Sequence, residues 1–243
     1  MRIILPSKYP DLCARALRGL WRTTDVPVTI VWDGENCDEV LTKGMKLSEA
    51  GAAMHKTWVR DIHWMLGVQP FIYARNVNIG WKDAAEEDYV IIMGDDVLPW
   101  TVDWTEEMQG VMERDPKIGI LGAGVLGEAK HKVLTLNWFW EKDFLPHNGD
   151  GVPFVCVMIR RAVWEKIGFM DERFTAYGYD DDDYNIRCRK AGWFTGYTHR
   201  ALVRHGVPGA PWAATFTRAY GGPEELMKKQ AENQRIFREK WGK

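Results

Sequence analysis

Uninterrupted apolar runs alternate with amphipathic segments through the first 100 residues of the 243-residue chain. The runs are short and rich in Ile and Val, without alternation of period two, which is typical of parallel strands buried on both faces. The predicted strands are residues 3–5, 28–32, 71–74 and 89–93. The predicted helices between them are residues 11–22, 48–66 and 81–87. This order predicts an α/β protein with a mostly parallel central sheet and helices on both faces.

The second half of the chain is less regular. Its predicted helices are residues 104–114, 162–167, 182–191 and 223–241, and its predicted strands are residues 118–121, 152–159 and 194–203. Residues 122–150 contain Gly, His, Asn and clustered aromatic residues, which predicts a long loop, and such loops are usually lids or binding loops. Because no linker or internal repeat interrupts the pattern, we predict one domain over residues 1–243.

Composition narrows the class of protein further. The 32 Lys and Arg oppose 34 Asp and Glu, for a formal charge of -2, which argues against binding along a nucleic-acid backbone. No run reaches 18 apolar residues, and residues 1–6 are too short for a signal peptide, so we expect a soluble cytoplasmic protein without a membrane span. The cysteine spacing fits neither a zinc site nor a dense disulfide framework, so we expect reduced thiols. The cysteines are Cys13, Cys37, Cys156 and Cys188.

Polar side chains follow the predicted strands, where open parallel sheets bind their ligands. Ser7 follows the first strand and Asp33 the second. Asp95 and Asp96 follow the fourth, where burial and mutual repulsion would raise a pKa unless a cation balanced the charge. A divalent metal that carries a diphosphate is the simplest such cation. A solvated Asp-Asp turn ahead of Pro99 is the alternative, and both interpretations stay open.

Four consecutive acids at residues 180–183 open a segment whose apolar residues predict a packed helix. Acids at a helix N-terminus are stabilised by the macrodipole and cap backbone N–H groups, which is a structural explanation for the run. One cap, however, needs only one carboxylate. We therefore interpret the remaining acids as candidates for a general base or for binding sugar hydroxyls.

Three further residues are candidates with simple structural alternatives. His205 follows the last predicted strand, and together with two Asp it would form a ligand set that suits an Mn-like ion. A lone His is nevertheless more often a surface or core residue. Trp138 and Trp140 share a face in an extended segment, where aromatic rings stack on sugars, although local loop packing explains them at least as well.

The chain resembles the family 2 glycosyltransferases over most of its length. Short motifs carry the resemblance in the first half. Pro6 and Ser7 match the end of the family's first strand, which contacts the nucleotide. Asp33 matches the second-strand Asp that contacts the base or ribose. Asn78 and Gly80 resemble the family's Asn-x-Gly stretch, which leads into the strand before the metal motif.

The second half carries the more specific resemblance. Residues 154–174 are similar to the family's stretch before the catalytic base. The run YGYDDDD at residues 177–183, followed by Arg187, is in register with the family's Glu-Asp-x-Asp and Arg. On that register Asp181 corresponds to the base, and Asp180 replaces the usual Glu.

The resemblance implies a single GT-A-like, Rossmann-type domain that moves a sugar from a nucleotide-diphosphate donor to an acceptor hydroxyl. Such enzymes usually depend on Mn²⁺ or Mg²⁺ and usually invert the anomeric centre. The implied organisation is a nucleotide-binding half at residues 1–100, an acceptor and catalytic half at 101–222 and a C-terminal helix at 223–243. The implied roles are Asp181 as base, Asp96 and His205 as metal ligands, Asp95 with Pro6, Ser7, Asp33, Asn78 and Gly80 at the nucleotide, and Asp180, Trp138 and Trp140 at the acceptor.

Donor and acceptor are implied only as classes, namely a UDP, GDP or dTDP sugar and a glycan-like hydroxyl compound. Gly94 stands where the family's metal motif has an acidic or amide side chain, so a non-catalytic nucleotide-sugar binder is the alternative. A nucleotidyltransferase would need a Gly-rich phosphate loop, which residues 6–9 do not provide. A retaining outcome also stays open.

Overall fold

The computed structural model describes residues 1–34, 61–126, 142–147, 151–175, 178–206 and 221–242. The strands in these ranges are β1 (Arg2–Ser7), β2 (Val28–Trp32), β3 (Ile62–Leu66), β4 (Tyr89–Met93), β5 (Val97–Pro99), β6 (Ile118–Leu126), β7 (Leu145–Pro146), β8 (Cys156–Arg160) and β9 (Phe194–His205). The helices are α1 (Pro10–Thr23), α2 (Tyr73–Asp83), α3 (Trp104–Arg114), α4 (Arg161–Ile167), α5 (Asp180–Lys190) and α6 (Pro223–Trp241). The predicted α/β class is confirmed.

One sheet contains all nine described strands, in the order β3-β2-β1-β4-β8-β6-β9-β5, with β7 paired to β9. Strands β1 to β4 run parallel, whereas β8 runs antiparallel to both of its neighbours, β4 and β6. Because β9 is parallel to β6, it runs in the same direction as β4. The C-terminal ends of β1, β2, β4 and β9 and the start of β8 therefore share one edge of the sheet, here called the carboxyl edge.

Helices cover both faces of the sheet, as predicted. Ile3 and Leu5 of β1 belong to a core shared with α1 and α3, whereas Ile4 between them belongs to a core shared with α2, α4 and α5. This alternation follows from the period of two along a strand. Each such fully buried side chain stabilises the fold by about 1.5–3 kcal/mol relative to exposure, so the site rests on a rigid two-sided core.

The prediction for the second strand–helix unit was wrong in two places. Residues 62–66 form the strand β3, paired in parallel with β2, and not the end of a helix. Residues 73–74 open α2 and are not a strand, because Ala74, Val77 and Trp81 at helical spacing pack against the sheet. The rest of the predicted helix at 48–66, from residue 48 to residue 60, lies outside the described residues.

Three other boundaries also differ from the predictions. Helix α2 ends at Asp83, so the predicted helix at 81–87 is wrong after its first three residues. Strand β6 runs on to Leu126, because pairing with β9 continues through a register shift near Gly124, so residues 122–126 are not loop. Strand β8 begins at Cys156 and not at residue 152. The single-domain boundaries themselves stay a prediction.

Candidate functional site

Ser7 and Asp95 form the centre of an acidic group at the carboxyl edge. The Ser7 hydroxyl, at the end of β1, donates a 2.7 Å hydrogen bond to Asp95 Oδ2. Burial raises the pKa of Asp95 to about 7, repulsion from Asp96 adds to the rise, and the bond from Ser7 opposes it. Burial also raises the pKa of the neighbouring Cys13 thiol to about 12, which makes that thiol unreactive at neutral pH. The group therefore concentrates negative charge that a cation would stabilise.

Asp96 and His205 meet beside this group. His205 Nε2 lies 3.3 Å from Asp96 Oδ2, and the two side chains are only 10% and 12% exposed. The Gly206 N–H donates to the Asp96 carbonyl over 3.0 Å and so holds the two segments together. A Cβ added to Gly94 would lie 3.0 Å from Asp96 Oδ1. The glycine at this motif position thus leaves room for the Asp96 carboxylate.

Asp33 directly follows β2, and Asn76 of α2 holds it in place. Asn76 Nδ2 donates to Asp33 Oδ2 over 2.8 Å, and Asn76 Oδ1 accepts a 3.2 Å bond from the Val68 N–H. Burial raises the pKa of Asp33, and the Asn76 bond partly opposes that rise. The other carboxylate oxygen, Oδ1, is buried without a hydrogen-bond partner. One oxygen of Asp33 is therefore available to accept a hydrogen bond from a ligand.

Residues 151–155, which lead into β8, join this region to the acidic start of α5. The Gly94 N–H donates to the Val155 carbonyl over 3.0 Å. The Phe154 N–H donates to Asp181 Oδ2 over 3.4 Å. Because β8 is antiparallel to β4, its start lies at the carboxyl edge, and one short segment contacts both Gly94, the neighbour of Asp95, and Asp181.

Helix α5 begins at Asp180, two residues earlier than predicted. Burial raises the pKa of Asp180 well above its usual value, and repulsion from Asp181 adds to the rise. Asp181 Oδ1 accepts a 2.9 Å bond from the Asp182 N–H in the first turn, while the N-cap position is Tyr179, whose side chain makes no cap hydrogen bond, so the capping role expected of one acid is not observed. Burial raises the pKa of Tyr197 in β9, and the Asp181 and Asp182 carboxylates raise it further. Tyr197 therefore lies near these carboxylates, and no feature of the sequence pointed to it.

Asp183, the fourth acid of the run, serves the fold. Its fully buried carboxylate accepts hydrogen bonds from Arg187 Nε and Trp241 Nε1, both over 2.9 Å. Lys240 Nζ lies 2.7 Å from Asp183 Oδ1 and 2.8 Å from Asp171 Oδ2. The structural explanation thus accounts for Asp183, while Asp181 contacts the segment at the carboxyl edge through the Phe154 N–H.

Asn78 and Gly80 take part in the packing of α2. Asn78 Nδ2 donates to the Met170 carbonyl and to Glu172 Oε1, both over 2.9 Å, and Asn78 Oδ1 accepts a 3.0 Å bond from the Met170 N–H. A Cβ on Gly80 would approach Ile4 Cγ2 to 2.7 Å, so the glycine allows α2 to lie close to β1. None of these contacts involves the acidic group around Asp95.

Three predicted site residues remain, namely Pro6, Trp138 and Trp140. Pro6 lies in β1, paired with Val31 of β2, one residue before the Ser7 hydroxyl. Trp138 and Trp140 lie outside the described residues. Within the described ranges, no helix combines the length and the apolar character that a membrane crossing requires.

Part of a ligand set for a divalent ion is present. Among the described residues, no three His, Cys, Asp or Glu side chains converge as a metal site. Asp96 and His205 nevertheless place one carboxylate oxygen and one imidazole nitrogen 3.3 Å apart, and both groups are ligands that Mn²⁺ accepts. An ion bound at a phosphate substrate commonly takes one or two protein side chains and completes its shell with phosphate oxygens. The pair therefore fits an ion that arrives with a diphosphate.

Known proteins resemble this chain chiefly in fold. No protein-family model matches it. An uncharacterized protein of Sinorhizobium fredii (strain NBRC 101917 / NGR234), y4gI, is 24% identical over 198 residues, which are 72% of this chain and 20% of that protein. The chain thus spans about a fifth of that curated relative.

Solved structures give the stronger comparison. The mannosyltransferase PcManGT of Pyrobaculum calidifontis, in complex with GDP-Man and Mn²⁺, has a TM-score of 0.66 at 14% identity over 96% of this chain and 69% of that one. GalNAc-T7 with UDP, GalNAc and Mn²⁺ has a TM-score of 0.64 at 10% identity over 99% and 56% of the two chains. TarS 1-349 of S. aureus with UDP-GlcNAc has 0.64 at 12% over 95% and 65%. The chain therefore has the fold of the GT-A-type glycosyltransferases.

Proposed function

We propose that this chain is a glycosyltransferase that moves a sugar from a nucleoside diphosphate to an acceptor hydroxyl. The observation that carries the proposal is the convergence of Ser7, Asp95, Asp96 and His205 at the carboxyl edge of a GT-A-type fold. Open α/β sheets bind ligands at this edge. The fold neighbours in complex with UDP or GDP sugars support a donor of that class.

On the donor side, the nucleotide lies over Pro6, Ser7 and Asp33. The unpartnered Oδ1 of Asp33 accepts a hydrogen bond from the base or ribose, and Asn76 keeps the other oxygen engaged. Asp95, fixed by Ser7, contacts the ribose or the ion. Each contact uses a carboxylate oxygen that either has no hydrogen-bond partner in the protein or is oriented by a neighbouring side chain.

Asp96 and His205 are the residues that would hold a Mn²⁺ or Mg²⁺ ion. When bound, such an ion supplies positive charge that stabilises the departing diphosphate. The protein's own contribution is to keep the two side chains together and largely out of water, through the Gly206 bond to the Asp96 carbonyl. Gly94 contributes by leaving space beside Asp96 Oδ1.

Asp181 is the general base of the proposed reaction. Burial, with repulsion from Asp181, raises the pKa of the neighbouring Asp180. Asp181 takes the proton of the acceptor hydroxyl as the hydroxyl oxygen attacks the anomeric carbon in line. The bond from that carbon to the diphosphate oxygen breaks, and the anomeric centre inverts. Asp180, Trp138 and Trp140 are proposed contacts of a glycan acceptor.

A non-catalytic nucleotide-sugar binder is the second candidate. It is favoured by the small metal-ligand set, since Gly94 supplies no side chain and the described residues offer only Asp96 and His205 together. Such a protein would bind nucleotide with metal and turn over no donor.

A thermal-shift screen of nucleoside diphosphates with and without Mn²⁺, followed by donor assays, tests the proposal. A ligand at a hundred times its dissociation constant stabilises the folded state by about 2.7 kcal/mol, which a shift in Tm detects. Metal-dependent stabilisation together with sugar transfer or donor hydrolysis is the expected result. Stabilisation without turnover across a broad donor panel favours the binder. No stabilisation by any nucleotide contradicts both functions.

A further inference from the structure

The turn that leads into α5 has an unfavourable backbone conformation. Gly178 has a φ of 91° and Tyr179 a φ of 73°, so two successive residues are left-handed. Glycine adopts this region readily, but a tyrosine does so only where surrounding contacts hold it there. The Tyr179 carbonyl accepts the first helical bond, from the Asp183 N–H over 2.9 Å. The direction of α5, and with it the place of Asp180 and Asp181, depends on this turn.

Helix α6 supplies contacts that hold the turn. Asn233 is fully buried, and its Nδ2 donates to the Gly178 carbonyl over 2.9 Å. Its Oδ1 accepts a 3.1 Å bond from the Thr175 N–H. One helical turn further on, the Phe237 ring lies against Tyr179 with centroids 5.2 Å apart. One helix face therefore fastens the chain on both sides of residues 176–177 and packs on the left-handed tyrosine.

The same helix also holds the first turn of α5. Trp241 Nε1 donates to Asp183, and Lys240 lies between Asp183 and Asp171. Arg187 binds Asp183 and donates to the carbonyls of two residues, 167 and 169. Helix α6 thus contacts α5 at its approach and at the end of its acidic run.

We propose that Asn233 is a positioning residue for Asp180 and Asp181. Helix α6 then belongs to the part of the site that holds the proposed base, here called the base side. The inference rests on the proposed function, because it gives the turn at 178–179 the task of presenting Asp181 to the acceptor. Asn233 acts through the Gly178 carbonyl and touches neither donor nor acceptor.

A positioning role on the base side makes a selective prediction. The donor-side residues Ser7, Asp33 and Asp96 belong to β1 and to the segments after β2 and β4. The hydrogen bonds of Asn233 go instead to Thr175 and Gly178. Loss of Asn233 should therefore lower kcat and leave nucleotide affinity unchanged.

The experiment compares Asn233→Ala with two controls in the full chain. Glu232→Ala changes the exposed neighbour on the same helix. Val111→Ala removes a buried side chain of the α3 core and controls for general loss of stability. Each protein is measured by amide hydrogen exchange at residues 178–183, by the dissociation constant of a nucleoside diphosphate with Mn²⁺, and by kcat for the donor that wild type uses. Phe237→Leu, which removes only the ring on Tyr179, is the milder second variant if Asn233→Ala does not fold.

We expect Asn233→Ala to speed exchange at residues 178–183 at least tenfold and to lower kcat about 10- to 100-fold, since small misplacements of catalytic groups have effects of this size. Nucleotide affinity stays within twofold of wild type, and neither control reproduces the local change. Wild-type exchange at 178–183 in the variant overturns the inference, as does faster exchange with an unchanged kcat. If wild type itself turns over no donor, the proposed function fails, while the exchange measurement still decides whether Asn233 holds the turn.

Discussion

His205 Nε2 lies 3.3 Å from Asp96 Oδ2, although Asp96 follows β4 and His205 ends β9, and these strands are not neighbours in the sheet. The short strand β5 makes the meeting possible. It takes the chain from Asp96 straight to the edge of β9, where Val97 pairs with His205. The proposed metal ligands are thus brought together by sheet pairing, which loop motion would not disturb.

Replacing His205 should weaken metal-dependent binding selectively. We expect His205→Ala to lower nucleotide affinity in Mn²⁺ at least about tenfold, because the ion loses one of its two proposed side-chain ligands. Affinity without metal should not change. Calorimetric titration of a nucleoside diphosphate with and without Mn²⁺ measures both. His63→Ala, a change at a half-exposed residue of β3, is the control, and equal affinity in wild type and His205→Ala would remove the residue from the metal site.

The amide variant of Asp181 should abolish most turnover. Loss of a general base lowers rates about 10²- to 10⁴-fold, so we expect kcat of Asp181→Asn to fall at least about 100-fold with nucleotide affinity within twofold. Steady-state kinetics with a donor that wild type uses provide the measurement. Asp88→Asn, at an exposed carboxylate on the surface, serves as the control. Transfer by Asp181→Asn within tenfold of wild type would assign the base elsewhere.

Asp183 should matter for stability. Its carboxylate is fully buried and contacts Arg187 and Lys240, so Asp183→Asn leaves two cations short of a partner. Breaking a buried ion pair costs 3–5 kcal/mol, and we expect about 3 kcal/mol here because Lys240 keeps Asp171. Urea unfolding measures the change. Glu239→Gln, which breaks only an exposed pair with Arg235, should cost less than about 1 kcal/mol, and equal effects would refute the distinction.

Acid should destabilise the protein partly through Asp171. Hydrogen bonds from Arg173 and, to a lesser extent, Lys240 hold the pKa of Asp171 well below its usual range. A carboxylate with a lowered pKa stabilises the fold above its unfolded pKa of about 3.9, and the contribution disappears as the pH falls through the lowered value. The unfolding free energy of wild type should therefore fall more steeply below about pH 4 than that of Asp171→Asn. Urea titrations at several pH values test this, with the exposed Glu232→Gln expected to parallel wild type.

Local sequence patterns were enough to predict several elements with their observed bounds, namely β2, β4, α3 and α6. Each is a buried run or amphipathic segment bounded by clear start and stop residues. Strand β3 was missed because its apolar residues also continue the helical spacing before them, and only its pairing with β2 decides the matter. That pairing is non-local, and a sequence window does not contain it.

The site residues differ in the same way: some are marked by the sequence around them, and others depend on partners far along the chain. Ser7, Asp33, Asp96 and His205 could be proposed as site residues from the sequence, because each lies at or just after a strand that the sequence marks directly. Asn76 and Asn233 are not among the predicted site residues, because their partners are distant in sequence: Asp33 is 43 positions from Asn76, and Gly178 is 55 positions from Asn233. Buried amide side chains that orient other residues have no local signature. They become visible only when the chain is folded.

The antiparallel strand β8 has an energetic consequence for the two sides of the site. Its leading segment accepts a bond from Gly94 through Val155 and donates one to Asp181 through Phe154. A displacement at one end of this segment is therefore transmitted to the other. Substitutions at Gly94 and Asp181 should be non-additive in a double-mutant cycle, which would measure a coupling free energy between the proposed metal site and the proposed base.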